Sequence, residues 1–366
     1  MSDAATASEF VWIARGHWEI FIATYLFLGG LSGGAYLTSV VSSELFRPRA
    51  EGPAEIFACE ETSRWGAVIG VVAIAVGGVA LLSHLGAPLR ALTFPVLFSN
   101  FGSWLVIGTW FIVLFALFVT LEAFWLLFGE RHTDFEGLSY FPRRIVVWID
   151  ERLPLPDGWS VVAMLDWIAD LIRPTGRARL GVHAVGSVTA TGVIVYTAML
   201  LTDISVVPLW NRQYLPVIFL MSGASTGISA ALLGTVASGG GLSRTNHLFC
   251  LADDGLIAVE TVTLVGLLGV LASGGPAATQ SRELLLSGAY FPHFVVGVLV
   301  LGLVVPFLLS MTMTTLARFT DIEETPLGAS AFTGGFAAKY FLVLAGGFLL
   351  RYVILFGAVK QPLGVP

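Results

Sequence analysis

Charged residues are scarce in this sequence of 366 residues. Only 12% of the residues are charged, about half the share in soluble globular domains, whereas 56% are hydrophobic and the mean hydropathy is +0.83. The hydrophobic residues form blocks close to the ~20 residues that a helix needs to cross a bilayer. The composition therefore excludes an ordinary soluble domain and predicts an all-α integral membrane protein. The net charge of -6 gives no indication of a nucleic-acid partner.

Cysteine is almost absent as well. The chain has two cysteines, Cys59 and Cys250, and an iron–sulfur cluster usually takes four. The six histidines never occur as pairs deep within two apolar blocks, which is the arrangement that a b-type dihaem bundle requires. We therefore expect no haem, no iron–sulfur cluster and no metal site on this chain.

Eight apolar blocks predict eight transmembrane helices, and an even number places both termini on one side of the membrane. Thirteen of the 19 lysines and arginines, with Arg64 and Lys339 among them, fall in or beside the connections on the opposite side. Because basic connections stay cytoplasmic, we expect both termini outside and a location in the cell (inner) membrane. The blocks lie near residues 18–43, 65–85, 102–128, 181–202, 215–236, 253–272, 291–316 and 338–358.

An internal similarity suggests how these helices are grouped. "FLGGLSGGAYL" in the first block resembles "FLMSGASTGISAAL" in the fifth, and both run from outside to inside. We expect two four-helix bundles, with the long inner connection lying on the membrane surface as amphipathic helices. The predicted parts are an outer tail 1–17, a first bundle 18–202 with its inner loop 129–180, a second bundle 203–358 and an outer tail 359–366.

Glycines in the first and fifth blocks repeat at intervals of four residues. In lipid, small residues at this spacing let two helix backbones approach closely. The sequence therefore predicts a helix-packing seam, and a smooth wall beside a flat ligand ring is compatible with it. The glycines are Gly29, Gly30, Gly33, Gly34, Gly223 and Gly227.

Polar and aromatic residues gather at the outer ends of several blocks. A quinone head group needs hydrogen-bond donors for its carbonyls and a titratable group for its protons, and this set contains both. Such residues are also common at membrane interfaces without any ligand, so that interpretation stays open. The quinone-binding candidates are His17, Glu19, Tyr25, His84, Arg90, Ser103, Trp104 and Arg351.

Other charged residues lie deeper. A charge at the centre of a membrane costs about 2.5–3.5 kcal/mol on the insertion scale, so each needs a partner or a purpose. Glu260 lies seven residues after Asp253 in the sixth block. The alternatives are a proton relay and a hydrogen-bonded structural group. The proton-path candidates are Glu260, Asp253, Asp254, Glu122 and His183.

Five sequence features follow one another along the chain. They are "YLFLGGLSGG", "HLGAPLR" followed by "GSW", "PLWNRQYLPVIFLMSGASTG", the Asp253-to-Glu260 spacing and "GGFLLRYVI". In these strings the chain resembles the NrfD/PsrC family, the membrane subunits of polysulfide reductase and related iron–sulfur molybdoenzymes. The resemblance covers nearly the whole chain.

The resemblance implies a haem-free protein of eight helices in two bundles. It implies electron exchange between a membrane quinone, menaquinone or ubiquinone, and an iron–sulfur subunit docked on the outer face. That subunit would pass electrons to or from a catalytic subunit of the molybdopterin type or, as in alternative complex III, towards a cytochrome. Proton translocation is a further possibility, and no catalytic residue is expected on this chain alone. A proton or small-solute transporter and a plain membrane anchor remain the alternatives.

Overall fold

The structure is a computed structural model that describes residues 3–84, 101–129, 137–154, 156, 159–319 and 325–360, without the side chains of 3–19, 84, 317–319 and 326. This part of the chain is helical and contains no strand. A π-helical segment at Pro292–Val304 runs directly into α10. The helices are α1 Asp3–Val41, α2 Pro53–His84, α3 Trp104–Leu127, α4 Phe141–Asp150, α5 Val161–Ile172, α6 Gly176–Thr202, α7 Leu215–Ala237, α8 Arg244–Ala272, α9 Pro276–Leu286, α10 Val305–Phe319 and α11 Pro326–Phe356.

Eight segments of the described residues are long and apolar enough to cross a membrane. This confirms the predicted all-α, eight-span architecture, and the chain is a multi-pass membrane protein. The placement of the termini outside and the division into two bundles stay predictions. The segments are Ile20–Arg49, Pro53–Ser83, Trp104–Leu127, Gly176–Thr202, Leu215–Ala237, Arg244–Ala272, Pro292–Leu316 and Leu327–Phe356.

Besides α1, which begins at Asp3, three of these helices begin well before the apolar blocks that predicted them. The helices α2, α8 and α11 begin 12, 9 and 12 residues before the predicted starts at 65, 253 and 338. Two of them begin at a capping side chain: Ser243 Oγ accepts from Asn246 N at 3.1 Å, and Thr325 Oγ1 accepts from Gly328 N at 3.1 Å. Such caps satisfy backbone donors at a helix start.

The earlier starts correct the assignment of two basic residues to the connections. Arg64 and Lys339 lie inside α2 and α11, and both are buried. Each is close to carboxylates, Glu61 in the first case and the pair Asp253 and Asp254 in the second. Opposite charges nearby reduce the cost of burying them.

The helix ends define two sides of the molecule. We call the side where α1 begins and α11 ends the terminal side, and the side that carries α4 and α5 the connector side. Helix α1 is central, because it packs against α2, α6, α7 and α11.

The glycine seam joins the two similar segments to each other. A Cβ atom on Gly34 would overlap the carbonyl oxygen of Gly223, and one on Gly227 would overlap the backbone of Gly34. The backbones of α1 and α7 therefore touch directly, as the spacing predicts. Gly33 faces another helix, since its Cβ would lie 2.8 Å from the carbonyl oxygen of Ala190 in α6. The two glycine registers of α1 thus contact two different helices, α6 and α7.

The long connection contains the two helices predicted for it, α4 and α5. Arg143 of α4 donates to both carboxylate oxygens of Asp166 in α5, at 2.5 and 2.7 Å. Trp148 and Trp167 project from these helices with more than half of their surface exposed. Exposed tryptophans are typical of the membrane–water interface.

Candidate functional site

The predicted quinone site is only partly within the described residues. Tyr25, Ser103 and Trp104 belong to the described part and lie towards the terminal side of α1 and α3. The other terminal-side candidates are His17, Glu19, His84 and Arg90. The structure describes only the backbone of the first three, and Arg90 lies outside the described residues.

Tyr25 is half-buried beside the apolar core that joins the spans on this side. It lies near the phenol of Tyr196 from α6. Ser103 precedes α3, and its carbonyl oxygen accepts from Val106 N and Ile107 N at 3.1 Å each. The donors on this side are therefore a phenol, a hydroxyl and the indole of Trp104, which suit the carbonyl oxygens of a quinone.

Arg351, the eighth quinone candidate, lies elsewhere. Its guanidinium is buried in the membrane-spanning part and donates to Ser222 Oγ, to the Gly347 carbonyl at 3.1 Å and to the Phe219 carbonyl at 3.4 Å. A Cβ on Gly30 would lie 3.2 Å from its Nη2 atom, so a glycine of α1 leaves room for it. The structure therefore groups Arg351 with the deep charges.

Glu260 is the carboxylate that accompanies Arg351. Both side chains interact with Ser222, and their opposite charges attract each other. A cavity of about 10 Å³ beside Glu260 is lined by Ser225 and Thr226 as well. This volume is near the lower limit for one water molecule.

A second group of charges lies towards the connector side of Glu260, along the same helix. Lys339 Nζ is 2.8 Å from Asp254 Oδ1 and 3.1 Å from Asp253 Oδ2. Asp253 also accepts from Ser225 Oγ at 2.5 Å, and Asp254 accepts from Ser310 Oγ at 2.5 Å. All these residues are buried. Burial makes charged carboxylates costly, and the paired ammonium group offsets that cost.

The series of polar contacts continues to the start of α8. Lys339 Nζ also lies 3.0 Å from Cys250 Sγ, and Tyr340 OH donates to Asn246 Oδ1 at 2.8 Å. Asn246 Nδ2 then donates to the Gly241 carbonyl on the connector side. Buried polar groups therefore follow α8 and α11 from Arg351 towards that side.

Glu122 and His183 form a different cluster, between α3 and α6. His183 Nε2 lies 2.9 Å from Glu122 Oε2, and His183 Nδ1 lies 3.1 Å from Glu44 Oε1. Glu44 also pairs with Arg179 at 2.7 Å. The structure thus divides the five proton-path candidates into two clusters on different helices.

The cluster of Glu44, Glu122 and His183 borders a cavity of about 440 Å³ on the connector side. Arg64 lies in its wall and donates to Glu61 Oε1 at 2.7 Å, Ser139 Oγ at 2.9 Å and Tyr140 OH at 3.2 Å. Burial raises the pKa of Tyr140, which keeps this phenol neutral.

Sequence reasoning missed Glu44, Arg64 and Lys339 as site residues. Hydropathy assigned all three to connections or helix boundaries. The spacing of Arg64 after Glu60 and Glu61 is a helical ion-pair signal, and "TP" at Thr325 is a helix-start signal. Those signals would have extended α2 and α11 over the missed basic residues.

Comparison with known proteins matches nearly the whole chain. The family model described as "Polysulphide reductase, NrfD" matches residues 13–361. The C subunit of polysulfide reductase from Wolinella succinogenes is 29% identical over 350 residues, which cover 93% of this chain and 93% of that protein. The NrfD homolog of Haemophilus influenzae is 26% identical over 333 residues, covering 90% and 94%. Protein NrfD of Escherichia coli is also 26% identical over 333 residues, with the same coverage.

Proposed function

Because the chain belongs to the polysulphide reductase NrfD family, we propose that it is the membrane subunit of a respiratory oxidoreductase complex. In this proposal it exchanges electrons between the quinone pool and an iron–sulfur subunit docked on the terminal side. The single observation that carries the proposal is the family match over residues 13–361, together with a relative named as one subunit of polysulfide reductase.

The terminal side of α1 and α3 is the proposed quinone site. Tyr25 would donate its phenolic hydrogen to a quinone carbonyl, and Ser103 and Trp104 would supply further donors from the same side of the membrane. A bound quinone would supply the two-electron, two-proton redox chemistry. His17, Glu19, His84 and Arg90 remain the candidates for accepting or giving its protons.

The buried charges of α8 and α11 support a proton path as part of the same function. Glu260, Asp253 and Asp254 are carboxylates that can bind a proton, and Lys339 and Arg351 balance their charge. The groups succeed one another along the helices and approach the connector side at Asn246. A structural network without proton transfer is the alternative.

The quinone proposal is tested on the complex purified with its associated subunits. Tyr25→Phe removes one hydroxyl, and loss of one hydrogen bond should weaken quinol-analogue binding about fivefold. Tyr214→Phe is the matched control, because it removes a phenolic hydroxyl at the terminal end of α7. A preparation that shows no saturable quinone binding and no cluster-containing partner would contradict the proposal.

The proton path has its own test in proteoliposomes. Glu260→Gln keeps the shape of the side chain and removes its proton exchange. We expect quinone binding to persist while proton uptake or release per turnover falls. If proton coupling is unchanged in this variant, Glu260 is structural and the quinone proposal is unaffected.

A further inference from the structure

Glu260 and Asp253 lie too far apart for direct proton transfer. They are seven residues apart in α8, which corresponds to about 10 Å along the helix axis. A proton passes directly between two groups only across a hydrogen bond of about 2.6–3.2 Å. The proposed proton path therefore needs an intermediate between these two carboxyl groups.

The small cavity beside Glu260 reaches Ser225, which is the hydroxyl partner of Asp253. The hydroxyl-bearing residues Ser222 and Thr226 of α7 line it as well. Its volume of about 10 Å³ meets the lower limit for one water molecule, and a buried water molecule needs about two to four polar partners. The cavity therefore has both the size and the polar groups that one water molecule requires.

The hydroxyl groups of Ser225 and Thr226 are able to accept hydrogen bonds from such a water molecule. Ser225 Oγ donates its hydrogen to Asp253 Oδ1 at 2.5 Å. Thr226 Oγ1 donates to the carbonyl oxygens of Ser222 and Gly223, at 2.8 and 3.1 Å. A hydroxyl oxygen has two acceptor sites besides its one donor. A water molecule can therefore donate to both hydroxyls while it accepts from the Glu260 carboxyl group.

Glycines on the facing segments keep the cavity small. A Cβ atom on Gly302 would lie 2.7 Å from the Cα atom of Gly346, and one on Gly347 would overlap Cγ2 of Thr226. Because the backbones are already in close contact there, the cavity does not suit a ligand larger than water. Gly302 belongs to the π-helical segment Pro292–Val304, and π-helical turns often occur at functional sites.

We propose, on the basis of the proton path above, that the cavity holds one water molecule that joins Glu260 to Asp253 through Ser225. A proton leaves the Glu260 carboxyl group for the water molecule, which passes one of its own hydrogens to Ser225 Oγ. Ser225 passes its hydrogen to Asp253 Oδ1. Three O–H bonds break and three form, so only the two carboxyl groups change charge. Thr226 holds the water molecule in place as its third partner.

The first test measures proton uptake or release by the purified complex in proteoliposomes. Ser225→Ala removes the relaying hydroxyl and should slow proton transfer at least about tenfold, while quinol-analogue binding stays unchanged. Ser229→Ala is the matched control, because it makes the same substitution one turn further along α7. The Ser229 hydroxyl is buried and has no hydrogen-bond partner among the described residues. Proton transfer in this control should equal that of the parent protein.

Infrared difference spectra of the same complex test for the water molecule itself. An O–H stretching band of the bound water should shift when the solvent is replaced by water labelled with a heavy oxygen isotope. Thr226→Val keeps the shape of the side chain and removes one acceptor, so this band should move to higher frequency. The spectra decide the question even if Ser225→Ala does not fold.

Three outcomes would overturn the water relay and leave the proton path in place. One is unchanged proton transfer in Ser225→Ala beside a loss in Glu260→Gln. Another is the absence of the isotope-sensitive band, since no water molecule then occupies the cavity. The third is an equal loss in Ser229→Ala and Ser225→Ala, which would come from repacking of α7. Unchanged proton transfer in Glu260→Gln would instead remove the proton path and the relay together.

Discussion

The ammonium group of Lys339 lies 2.8 Å from Oδ1 of Asp254 and is completely buried in the membrane-spanning part of the protein. Asp253 approaches the same ammonium group at 3.1 Å. Two carboxylates thus face one ammonium group, and both depend on it for their opposite charge. Because uncompensated charge is costly in a membrane, the hydroxyl donors Ser225 and Ser310 add to the stabilisation of the two carboxylates that Lys339 provides.

Replacing the lysine should destabilise the protein strongly. Lys339→Met leaves Asp253 and Asp254 buried without their cation, and breaking a buried pair in this way costs about 3–5 kcal/mol. We expect a lower melting temperature in detergent at neutral pH. The deficit should shrink as the pH falls, because protonated carboxyl groups need no cation.

The control for this prediction is Lys360→Met, which removes the same charge from an exposed position after α11. It should leave the melting temperature unchanged. Equal melting temperatures for Lys339→Met and the parent protein at neutral pH would show that the buried aspartates do not depend on Lys339.

A second prediction concerns Arg351 and Glu260. Arg351→Gln should destabilise the protein, because it leaves Glu260 buried beside Ser222 without an opposite charge. Adding Glu260→Gln should restore part of the lost stability, since the double variant buries no unpaired charge. The melting temperatures of the two single variants and the double variant measure this coupling, and additive effects would contradict it.

The number of membrane spans followed from hydropathy alone, since an apolar block of about 20 residues almost always forms a membrane-spanning helix. The start of α11 did not, because the glycines and small residues of "GASAFTGGFAA" before Lys339 look like a connection unless the cap at Thr325 is considered. The partners of Lys339 lie 85 and 86 positions earlier in the sequence. Sequence spacing cannot bring such residues together without knowledge of helix packing, and for the same reason it could not pair Arg351 with Ser222 and Glu260.

The sequence also did not predict which helices the glycine seam joins. The spacing of Gly30 and Gly34 predicts a close helix neighbour, and the resemblance between the first and fifth blocks indicates a repeat. Neither observation says that the two similar segments pack against each other. The contact of Gly34 with Gly223 comes from the three-dimensional arrangement of α1 and α7.

The turn between α4 and α5 should respond to pH through Asp150. Its carboxylate accepts from Ser160 Oγ at 2.6 Å and from Val161 N at 2.7 Å, and these bonds lower the pKa of Asp150. A carboxyl whose pKa is depressed on folding stabilises the turn above its unfolded pKa, and this contribution is lost as pH falls through the folded value. The protection factors of the α5 amides, that is, their exchange relative to the intrinsic rate at the same pH, should therefore fall in acid.

Asp150→Asn should lower those protection factors already at neutral pH and reduce their acid response. Glu151→Gln is the neighbouring control, because it removes an exposed carboxylate from the same turn. An equal acid response in Asp150→Asn and the parent protein would assign the effect to other carboxylates.

The last prediction concerns the contact between α1 and α7. Gly227→Ala places a Cβ atom on the backbone of Gly34, and neither backbone can move without separating the two helices. We expect a loss of roughly 1–3 kcal/mol or more in stability, as for other overpacked cores, measured by melting in detergent. Gly78→Ala is the matched control, since a Cβ there meets nothing within 4 Å and alanine favours a helix by about 0.5–1 kcal/mol. A Gly227→Ala protein as stable as Gly78→Ala would mean that the two helices are not in backbone contact.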